Sequence, residues 1–539
     1  MLTRFKKVLV AAVLVFAFSA GAFAGCGGGD DSGLLDGYAD RPNKVTVLHN
    51  NAGYGYQWLV DVAKYYMDHI DTETYIQIKN TPLDAEEGIK LASGIQTHDV
   101  YLLGYIYDYA TAGAYLADLK DVYNGKSTGE ETLVKDKVSD SVRDAMYPAG
   151  ADSIYFLPYM GKTSYSFCYN TTTLDETLGA GSYVLPRTTD ELFEFGDRLK
   201  EKGVYLTCGA FGDATDYFSL EPWLAQAMGA ETYFQARNGN YQTTGGDWAL
   251  AEEYPYMISQ NEQAYKDIYE VSARLFKKSN NYVHRDSSAM EFLDVESVLA
   301  GVGFGVNKTK VAYHYNGAWL MNEMKPYLDI MENNGQPQTI RAEKIPMMST
   351  VIRQTASISD DQTLRKAIDF IDGKGEKPAG VTDEDVDVIR KARNLGGTHM
   401  LGSMAIGKKT ENLEGSKNFV RFLTTDVAQR IACEALGGMQ MLPYGYAPET
   451  DENTPQFTRD VRRINRDMEF VYANICANDL FLKYGEFDVL PYPQAGMSAF
   501  GNENGMITAE QYYTDTLNYY TSGGRWQTVI ASYKRALGV

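Results

Sequence analysis

The feature that most constrains the fold is an alternation of strand and helix patterns near the start of the chain. Residues 44–51 (KVTVLHNN) form an apolar run that opens into polar residues, which is typical of a buried strand. Two more strand patterns follow, each preceded by a segment with helical spacing. In order, the segments are 44–51, 58–70, 74–80, 85–95 and 98–104. This order predicts a parallel sheet with crossover helices, and therefore an α/β fold.

Polar and aromatic side chains follow two of these strands. Ligands of parallel sheets bind beyond the carboxyl ends of the strands, so both loops are candidate parts of a ligand site. The alternative is that they are ordinary polar loops. The candidates are Asn50, Asn51, Tyr54 and Tyr56 after the first strand, and Tyr105, Tyr107 and Asp108 after the third.

The rest of the chain predicts further local structure. Its 539 residues exceed the size of one compact domain, so we expect at least two. Residues 186–203 predict a helix capped by Thr188 or Thr189. Residues 236–244 contain Asn-Gly and predict a hairpin with its turn there. Residues 412–438 predict two helices with a break near Thr424 and Thr425.

The N-terminus has the pattern of an export signal. A short basic segment precedes an apolar run of 13 residues (VLVAAVLVFAFSA), which is too short to span a membrane. The run ends in FAGC, which resembles the bacterial lipoprotein box and implies that Cys26 carries a lipid. We therefore expect a signal peptide over residues 1–25 and a flexible tether over 26–43. The alternative is an ordinary signal peptide with a chance cysteine.

Charge and cysteine usage exclude several kinds of partner. The net charge is −21 and no basic tract occurs, which argues against nucleic acid and against electrostatic attraction to anionic lipid. Besides Cys26 there are four widely spaced cysteines and no C-x-x-C, which argues against a zinc cluster. One or two disulfides or buried free thiols are both compatible with this spacing. The four are Cys168, Cys208, Cys433 and Cys476.

Tyrosine is unusually frequent, at 40 residues against 22 phenylalanines and 5 tryptophans. Its flat apolar face and hydroxyl group suit ligands that are partly apolar and partly hydroxylated, such as carbohydrates. Signals for catalysis, metals and cofactors are weak. The DEDVD motif at residues 383–387 imitates a calcium loop but lacks its glycine and its final glutamate, so a helix start is the better interpretation. The 71 acidic residues leave a glycosidase carboxylate pair open.

Several segments in order resemble family 1 extracellular solute-binding proteins, the receptors of sugar-type ABC importers. No single motif is specific, and the resemblance rests on their order over about 400 residues. Residues 255–300, 325–400 and 448–515 match least and look like additions. The matching segments are 99–119, 157–177 (containing YNTTTL), 186–192 (PRTTDEL), 221–230 (EPWLAQAMGA), 315–320 (YNGAWL) and 402–443.

The resemblance implies a two-lobed periplasmic-binding-protein-like fold with a hinge and a ligand cleft between the lobes. Lobe one would comprise residues 44–160 and 404–447, and lobe two residues 161–403 and 448–539. In sugar-binding members, aromatic rings stack on the sugar while amides and carboxylates bind its hydroxyls. Trp319 and Trp223 lie where the family places such rings, and Asn316 is in the same loop as Trp319. Lys162 and Thr163 lie on the crossover between lobes.

The leading hypothesis is a lipid-anchored receptor on the outer face of the cell membrane. It would act as a monomer, bind a solute, most simply an oligosaccharide, and deliver it to an ABC permease, with no cofactor and no enzymatic activity. Two alternatives are kept. One is a surface hydrolase or lyase acting on glycans, and the other is an adhesion lipoprotein without a small ligand.

Overall fold

The computed structural model describes most of the chain from Leu34 onward. The predicted signal peptide, Cys26 and the first part of the tether lie outside it. None of the helices formed by the described residues is long and apolar enough to cross a membrane. The described residues are 34–51, 53–81, 84–104, 107, 109–147, 151–160, 165–209, 217–237, 239–304, 308–398, 402–472 and 507–537.

The strands are numbered in chain order, and most are short. They are β1 (Asn43–Asn50), β2 (Thr74–Thr81), β3 (Val100–Leu103), β4 (Phe156–Met160), β5 (Ser166–Asn170), β6 (Asn240–Gln242), β7 (Trp248–Leu250), β8 (Tyr313–Asn316), β9 (Ile340–Glu343), β10 (Leu395–Thr398), β11 (Gly402–Ile406) and β12 (Glu469–Tyr472).

The α-helices are numbered in the same way. They are α1 (Gln57–His69), α2 (Asp84–Ala92), α3 (Tyr109–Ala112), α4 (Lys120–Tyr123), α5 (Val134–Lys137), α6 (Asp140–Met146), α7 (Thr171–Leu178), α8 (Thr189–Lys200), α9 (Tyr217–Met228), α10 (Ala230–Arg237), α11 (Tyr256–Gln260), α12 (Glu262–Phe276), α13 (Phe292–Leu299), α14 (Leu320–Asn333), α15 (Asp361–Ile371), α16 (Asp383–Arg393), α17 (Leu413–Leu423), α18 (Asp426–Ala435), α19 (Gln456–Asp467), α20 (Ala509–Thr521) and α21 (Arg525–Leu537).

A five-stranded sheet organises the first lobe, in the order β2-β1-β3-β11-β4. β1 pairs in parallel with β2 and β3, and α1 and α2 form the crossovers, so the predicted α/β arrangement is confirmed. From Val45 onward β1 is buried or nearly so on both faces, as expected for a parallel strand between helical layers. β11 inserts antiparallel between β3 and β4.

A three-stranded antiparallel sheet, β8-β5-β9, organises the second lobe. The chain passes from the first sheet to the second lobe between β4 and β5 and returns between β10 and β11. It crosses to the second lobe again before α19, where Asp460 accepts from Arg341 of β9 at 3.0 Å. The first two crossings lie side by side, because the Tyr165 amide donates to the Gly397 carbonyl at 2.7 Å. The fold is therefore two-lobed and α/β, with paired crossovers that form a hinge. The residue limits of each lobe stay a prediction.

Helix caps explain most of the helix starts that the sequence predicts. The Thr188 side chain accepts a hydrogen bond from the Glu191 amide and begins α8. Thr425 caps α18, which separates it from α17 at the predicted break. Thr382 caps α16, so DEDVD is a helix start, although Asp385 is buried and accepts from the Ala356 amide at 3.0 Å.

One local prediction is wrong. Gly239 does not lie in a hairpin turn, because α10 extends to Arg237 and Gly239 follows that helix end with a φ of 74°, while Asn238 lies outside the described residues. The hairpin is instead formed by β6 and β7, and its turn carries a hydrogen bond from the Thr243 amide to the Asp247 carbonyl at 2.8 Å. The helix-ending role of glycine prevailed over its role in hairpin turns.

Three cysteines lie among the described residues, and all three are buried free thiols: Cys168, Cys208 and Cys433. Burial raises the pKa of the Cys433 thiol, which disfavours a reactive thiolate. Cys476 lies outside the described residues.

A buried ion pair fixes α16 in the second lobe. The Arg393 guanidinium is 2 % exposed, donates to Asp372 at 2.8 Å and also donates to the Ile345 carbonyl at 2.6 Å. Burial alone would raise the pKa of Asp372, but Arg393 and then Lys344 and Lys374 hold it below its usual value. The pair therefore supplies stability above the acid range and loses it as pH falls.

We expect Arg393→Met to lower the free energy of unfolding by about 3 kcal/mol, because it leaves a buried carboxylate with only partial compensation. Urea denaturation followed by near-UV circular dichroism measures the effect. The matched control is Arg390→Met on the same helix, since Arg390 pairs with Asp387 at the exposed surface and its loss should cost below about 1 kcal/mol. Equal effects of the two changes would contradict the argument.

Candidate functional site

A buried hydrogen-bonded histidine fixes the carboxyl end of β1, where the first candidate loop begins. His49 is fully buried, with Nε2 2.8 Å from the Tyr159 hydroxyl and Nδ1 3.0 Å from Asn80 Oδ1. Burial lowers the pKa of His49 to about 4, so the ring is neutral near pH 7. A neutral ring that donates from Nδ1 and accepts at Nε2 satisfies both contacts. The network ties β1 to β4, which leads into the hinge.

Trp319 lies immediately before α14, at the end of the β8 loop. Its ring covers Gly317, where an added Cβ would lie 2.3 Å from Trp319 Cη2. The glycine is therefore required by the close approach of the ring. The described residues form two hydrophobic cores. The first contains the five-stranded sheet together with part of the second lobe, such as Val295 and Leu320, and the second contains other residues of the second lobe, such as Trp223 and Tyr315. Of the partly buried hydrophobic side chains that the structure describes, Trp319 is the one that packs against both cores.

The loop after β1 contacts Trp319 directly. An added Cβ on Gly53 would lie 3.2 Å from Trp319 Cγ, and the φ of 70° at Gly53 also favours glycine. The Asn322 side chain on α14 donates to the Gly53 carbonyl at 2.6 Å. The ring of Tyr54 meets Trp319 edge-on, with 5.9 Å between centroids. These contacts join the two lobes.

Four aromatic rings form a continuous group at this junction, which we call the aromatic cluster: Tyr54, Tyr165, Tyr315 and Trp319. Tyr165 meets Trp319 edge-on at 5.3 Å and stacks on Tyr315 at 5.0 Å. Tyr165 stands on the crossover into β5, and Tyr315 is on β8. The cluster combines side chains from the first lobe, the hinge and the second lobe.

Polar atoms in and beside the aromatic cluster are buried without a hydrogen-bond partner in the described chain. They are the hydroxyls of Tyr54 and Tyr315 and the Oδ1 atom of Asn51. Burial raises the pKa of both tyrosines well above 10, so each keeps its proton and is able to donate. Native proteins rarely leave such groups unpaired, and a hydroxylated ligand would pair them.

Three glutamates lie near the aromatic cluster. Glu221 is 4 % exposed. The pKa of Tyr315 is raised mainly by burial and next by the nearby carboxyl group of Glu221. Glu296 on α13 and Glu323 on α14 are neighbours whose carboxyl groups influence each other's pKa. Burial raises the pKa of both carboxyls, and the neighbouring Glu323 raises that of Glu296 further. No group of three or more metal-binding side chains occurs among the described residues.

The structure brings some predicted site residues together and places others elsewhere. Tyr54 and Trp319 are in contact, and Asn51 lies in the same loop as Tyr54. Asn50 is buried at the end of β1, and Tyr56 precedes α1 and is partly buried against the first core. Asn316 ends β8, and its Oδ1 accepts from the Gly317 amide at 2.6 Å, which shapes the Trp319 loop.

Two predicted ligand aromatics lie in hydrophobic cores. Trp223 on α9 is 1 % exposed, and its Nε1 donates to the Pro346 carbonyl at 2.7 Å. Tyr107 is 4 % exposed and packs between Tyr115 and Phe156. Four further candidates lie outside the described residues: Tyr105, Asp108, Lys162 and Thr163.

Sequence reasoning missed Tyr165, Tyr315 and the glutamate pair. Tyr315 had an available signal, because it directly precedes the Asn316-Gly317 turn that presents Trp319. Tyr165 joins the cluster only through pairing of the crossover with the second sheet. Glu296 and Glu323 are 27 positions apart on different helices, and no local pattern links them.

Comparison with solved structures shows the same fold at low sequence identity. A receptor from Streptomyces glaucescens, described in complex with acarbose, is 14 % identical with a TM-score of 0.55, and the match covers 91 % of this chain and 99 % of that one. A chitin oligosaccharide binding protein is 11 % identical with a TM-score of 0.56, covering 92 % and 100 %. A protein described in a study of xylan utilisation by Caldanaerobius polysaccharolyticus is 12 % identical with a TM-score of 0.54, covering 88 % and 99 %.

The comparison with curated proteins found no match to the sequence. The sequence model of one family, bacterial extracellular solute-binding proteins, matches residues 68–458, which is most of the chain. That range includes both crossovers and the whole α13–α14 region beside the aromatic cluster. The match agrees with the two lobes and the paired hinge strands, and the chain belongs to the family of bacterial extracellular solute-binding proteins.

Proposed function

We propose that the protein is a lipid-anchored receptor that binds an oligosaccharide between its lobes and delivers it to the permease of an ABC importer. The observation that supports an oligosaccharide as the ligand is the aromatic cluster, together with the unpaired hydroxyls of Tyr54 and Tyr315. Aromatic faces suit the apolar face of a sugar ring, and the tyrosine hydroxyls suit its hydroxyl groups. Three proteins of similar fold are described with acarbose, chitin oligosaccharides or xylan, which supports the same class here.

The family is extracellular, so the receptor acts outside the cytoplasm. Binding between lobes gives a mechanism for capture. A solute that contacts Tyr54 on one lobe and Tyr315 on the other has higher affinity for the closed arrangement, and this difference in affinity closes the lobes. The closed protein, as a monomer, would then dock to the permease.

The glutamates near the cluster do not favour the hydrolase alternative. A glycosidase needs two carboxyl groups on opposite sides of a glycosidic bond, separated by about 5 Å or more. Glu296 and Glu323 instead influence each other's pKa as neighbours, and Glu296 is 2 % exposed, which does not suit a pair of carboxyl groups that must flank a sugar linkage. The proposed site also lies between lobes and not on a flat exposed patch, which an adhesion surface would require.

We expect one class of oligosaccharide to raise the melting temperature of the purified protein. Ligand at a hundred times its dissociation constant adds about 2.7 kcal/mol of stability. The panel contains raffinose, malto-, xylo- and chito-oligosaccharides, and differential scanning fluorimetry measures the shift. Chromatography of the sugar afterwards shows whether it stays intact. Cleavage products would support the hydrolase, and no shift with any sugar would contradict the ligand class.

Two tryptophan variants locate the site. Trp319→Ala should abolish the ligand-induced shift, because it removes the ring shared by both lobes. Trp223→Phe should lower the melting temperature without ligand, because it removes the hydrogen bond to Pro346, but should keep the ligand-induced shift. The opposite pattern, with loss of the shift in Trp223→Phe alone, would move the site to α9.

We expect Cys26→Ser to release the protein from membranes. The lipid on Cys26 would supply the membrane affinity, at about 0.8 kcal/mol per buried methylene. Fractionation of cells followed by immunoblotting measures the distribution, and mass spectrometry of the membrane form detects the lipid. Ser32→Ala, in the same tether, is the matched control and should stay in the membrane fraction. Equal partition of both variants would contradict lipid anchoring.

A further inference from the structure

We propose that Asn322 is a positioning residue for solute binding, which holds a turn of lobe one against the start of α14 and thereby slows the release of a bound solute. The turn consists of Gly53, Tyr54 and Gly55, and we call it the glycine turn. The inference rests on the proposed function for its link to release, whereas the contact itself joins two parts of the chain and is tested separately.

The glycine turn is fixed to lobe one from its own side. Gly53 and Gly55 have left-handed φ values of 70° and 66°, so the turn requires both glycines. The indole of Trp58, which is fully buried on α1, donates from Nε1 to the Gly55 carbonyl at 3.1 Å. The turn therefore has a defined shape in lobe one even without a contact from lobe two.

The start of α14 meets the same turn from lobe two. The Asn322 side chain donates from Nδ2 to the Gly53 carbonyl at 2.6 Å, and an added Cβ on Gly55 would lie 3.5 Å from the same nitrogen. The backbone amide of Asn322 donates to the Trp319 carbonyl at 2.9 Å, which fixes the side chain close to the ring that contacts Gly53. Asn322 and Trp319 therefore meet the turn as one rigid unit.

Tyr54 lies between the two glycines, and its position depends on this contact. Its ring meets Trp319 edge-on, and its hydroxyl is one of the unpaired buried groups of the proposed site. The Gly53 carbonyl belongs to the peptide bond that leads to Tyr54, so a hydrogen bond to it restricts the backbone that directs the hydroxyl. Asn322 is itself exposed, and we assign its effect to the position of Tyr54 and not to a contact with the solute.

The contact favours retention of a solute over its capture. Gly53 and Asn322 belong to different lobes, so their hydrogen bond forms only when the lobes are together and is absent at the first encounter with an open receptor. Breaking this hydrogen bond adds to the barrier for reopening. The net contribution of one hydrogen bond corresponds to about a two- to tenfold change in the dissociation rate constant.

Two substitutions remove the donor without weakening α14. Asn322→Ala introduces the best helix former at an exposed position, and Asn322→Asp keeps the side-chain shape and adds a negative charge that the helix N-terminus favours. The matched control is Lys325→Ala, since Lys325 is exposed on the same helix and pairs with Asp329 at 2.7 Å. A merely structural role of Asn322 would leave the release of solute unchanged in both variants.

Stopped-flow tryptophan fluorescence measures the association and dissociation rate constants for whichever oligosaccharide of the panel above gives the largest thermal shift. We expect both Asn322 variants to release it about two- to tenfold faster, with association changed by less than about twofold. Lys325→Ala should match the wild type. Unchanged release in both Asn322 variants, or an equal increase in Lys325→Ala, would overturn the proposal.

A second readout needs no solute. Hydrogen–deuterium exchange of the peptide that contains residues 53–55, followed by mass spectrometry, should be faster in both Asn322 variants than in the wild type and Lys325→Ala, because the turn loses its contact with lobe two. Equal exchange in all four proteins would overturn the contact. If no oligosaccharide of the panel binds, the proposed ligand class fails, and the exchange rates still decide whether Asn322 holds the turn.

Discussion

The ring of Trp319 is the contact on which the arrangement of the two lobes depends. It packs against both hydrophobic cores, and two glycines make its position possible. Gly317 lies beneath the ring, where any side chain would overlap it, and Gly53 approaches from the other lobe with a φ of 70°. A large indole in this place fixes how closely the β1 loop and the β8 loop approach. The same ring forms the centre of the aromatic cluster, so the packing that joins the lobes also shapes the proposed site.

Local patterns were enough to predict the parallel strands of the first sheet and their crossover helices. The parallel sheet followed from period-two and helical spacing, and the helix starts followed from threonine caps such as Thr188 and Thr425, because both signals depend on residues close in sequence. The second lobe was beyond such reasoning. Its sheet joins β5 to β8 and β9, which are more than 140 positions away, and only the resemblance to a family implied its existence. The position of the hairpin turn was predicted wrongly for a related reason, since Gly239 follows the end of α10 and does not lie in the turn.

The candidate site was predicted in part, and the two tryptophans show why. Trp319 and Trp223 both follow residues that favour tight local structure, and sequence alone gives no means of ranking them. The structure separates them by their partners: Trp223 Nε1 bonds to the Pro346 carbonyl inside the second core, whereas Trp319 stays partly exposed between the lobes. A hydrogen bond between residues more than 120 positions apart depends on the tertiary structure, and no local sequence pattern predicts it. The glutamate pair on α13 and α14 is hidden from sequence reasoning in the same way.

The unpaired polar atoms determine which kind of solute would gain free energy by binding at the proposed site. A buried hydroxyl or amide oxygen without a partner costs about 1–3 kcal/mol, and Tyr54, Tyr315 and Asn51 each carry one. A purely apolar solute would leave those costs in place. A solute with hydroxyls along its edge would pair with them and gain free energy only when both lobes contribute, since Tyr54 and Tyr315 belong to different lobes. In the proposed site, closure and recognition of hydroxyl groups would therefore be linked, because the unpaired hydroxyls of Tyr54 and Tyr315 come from different lobes.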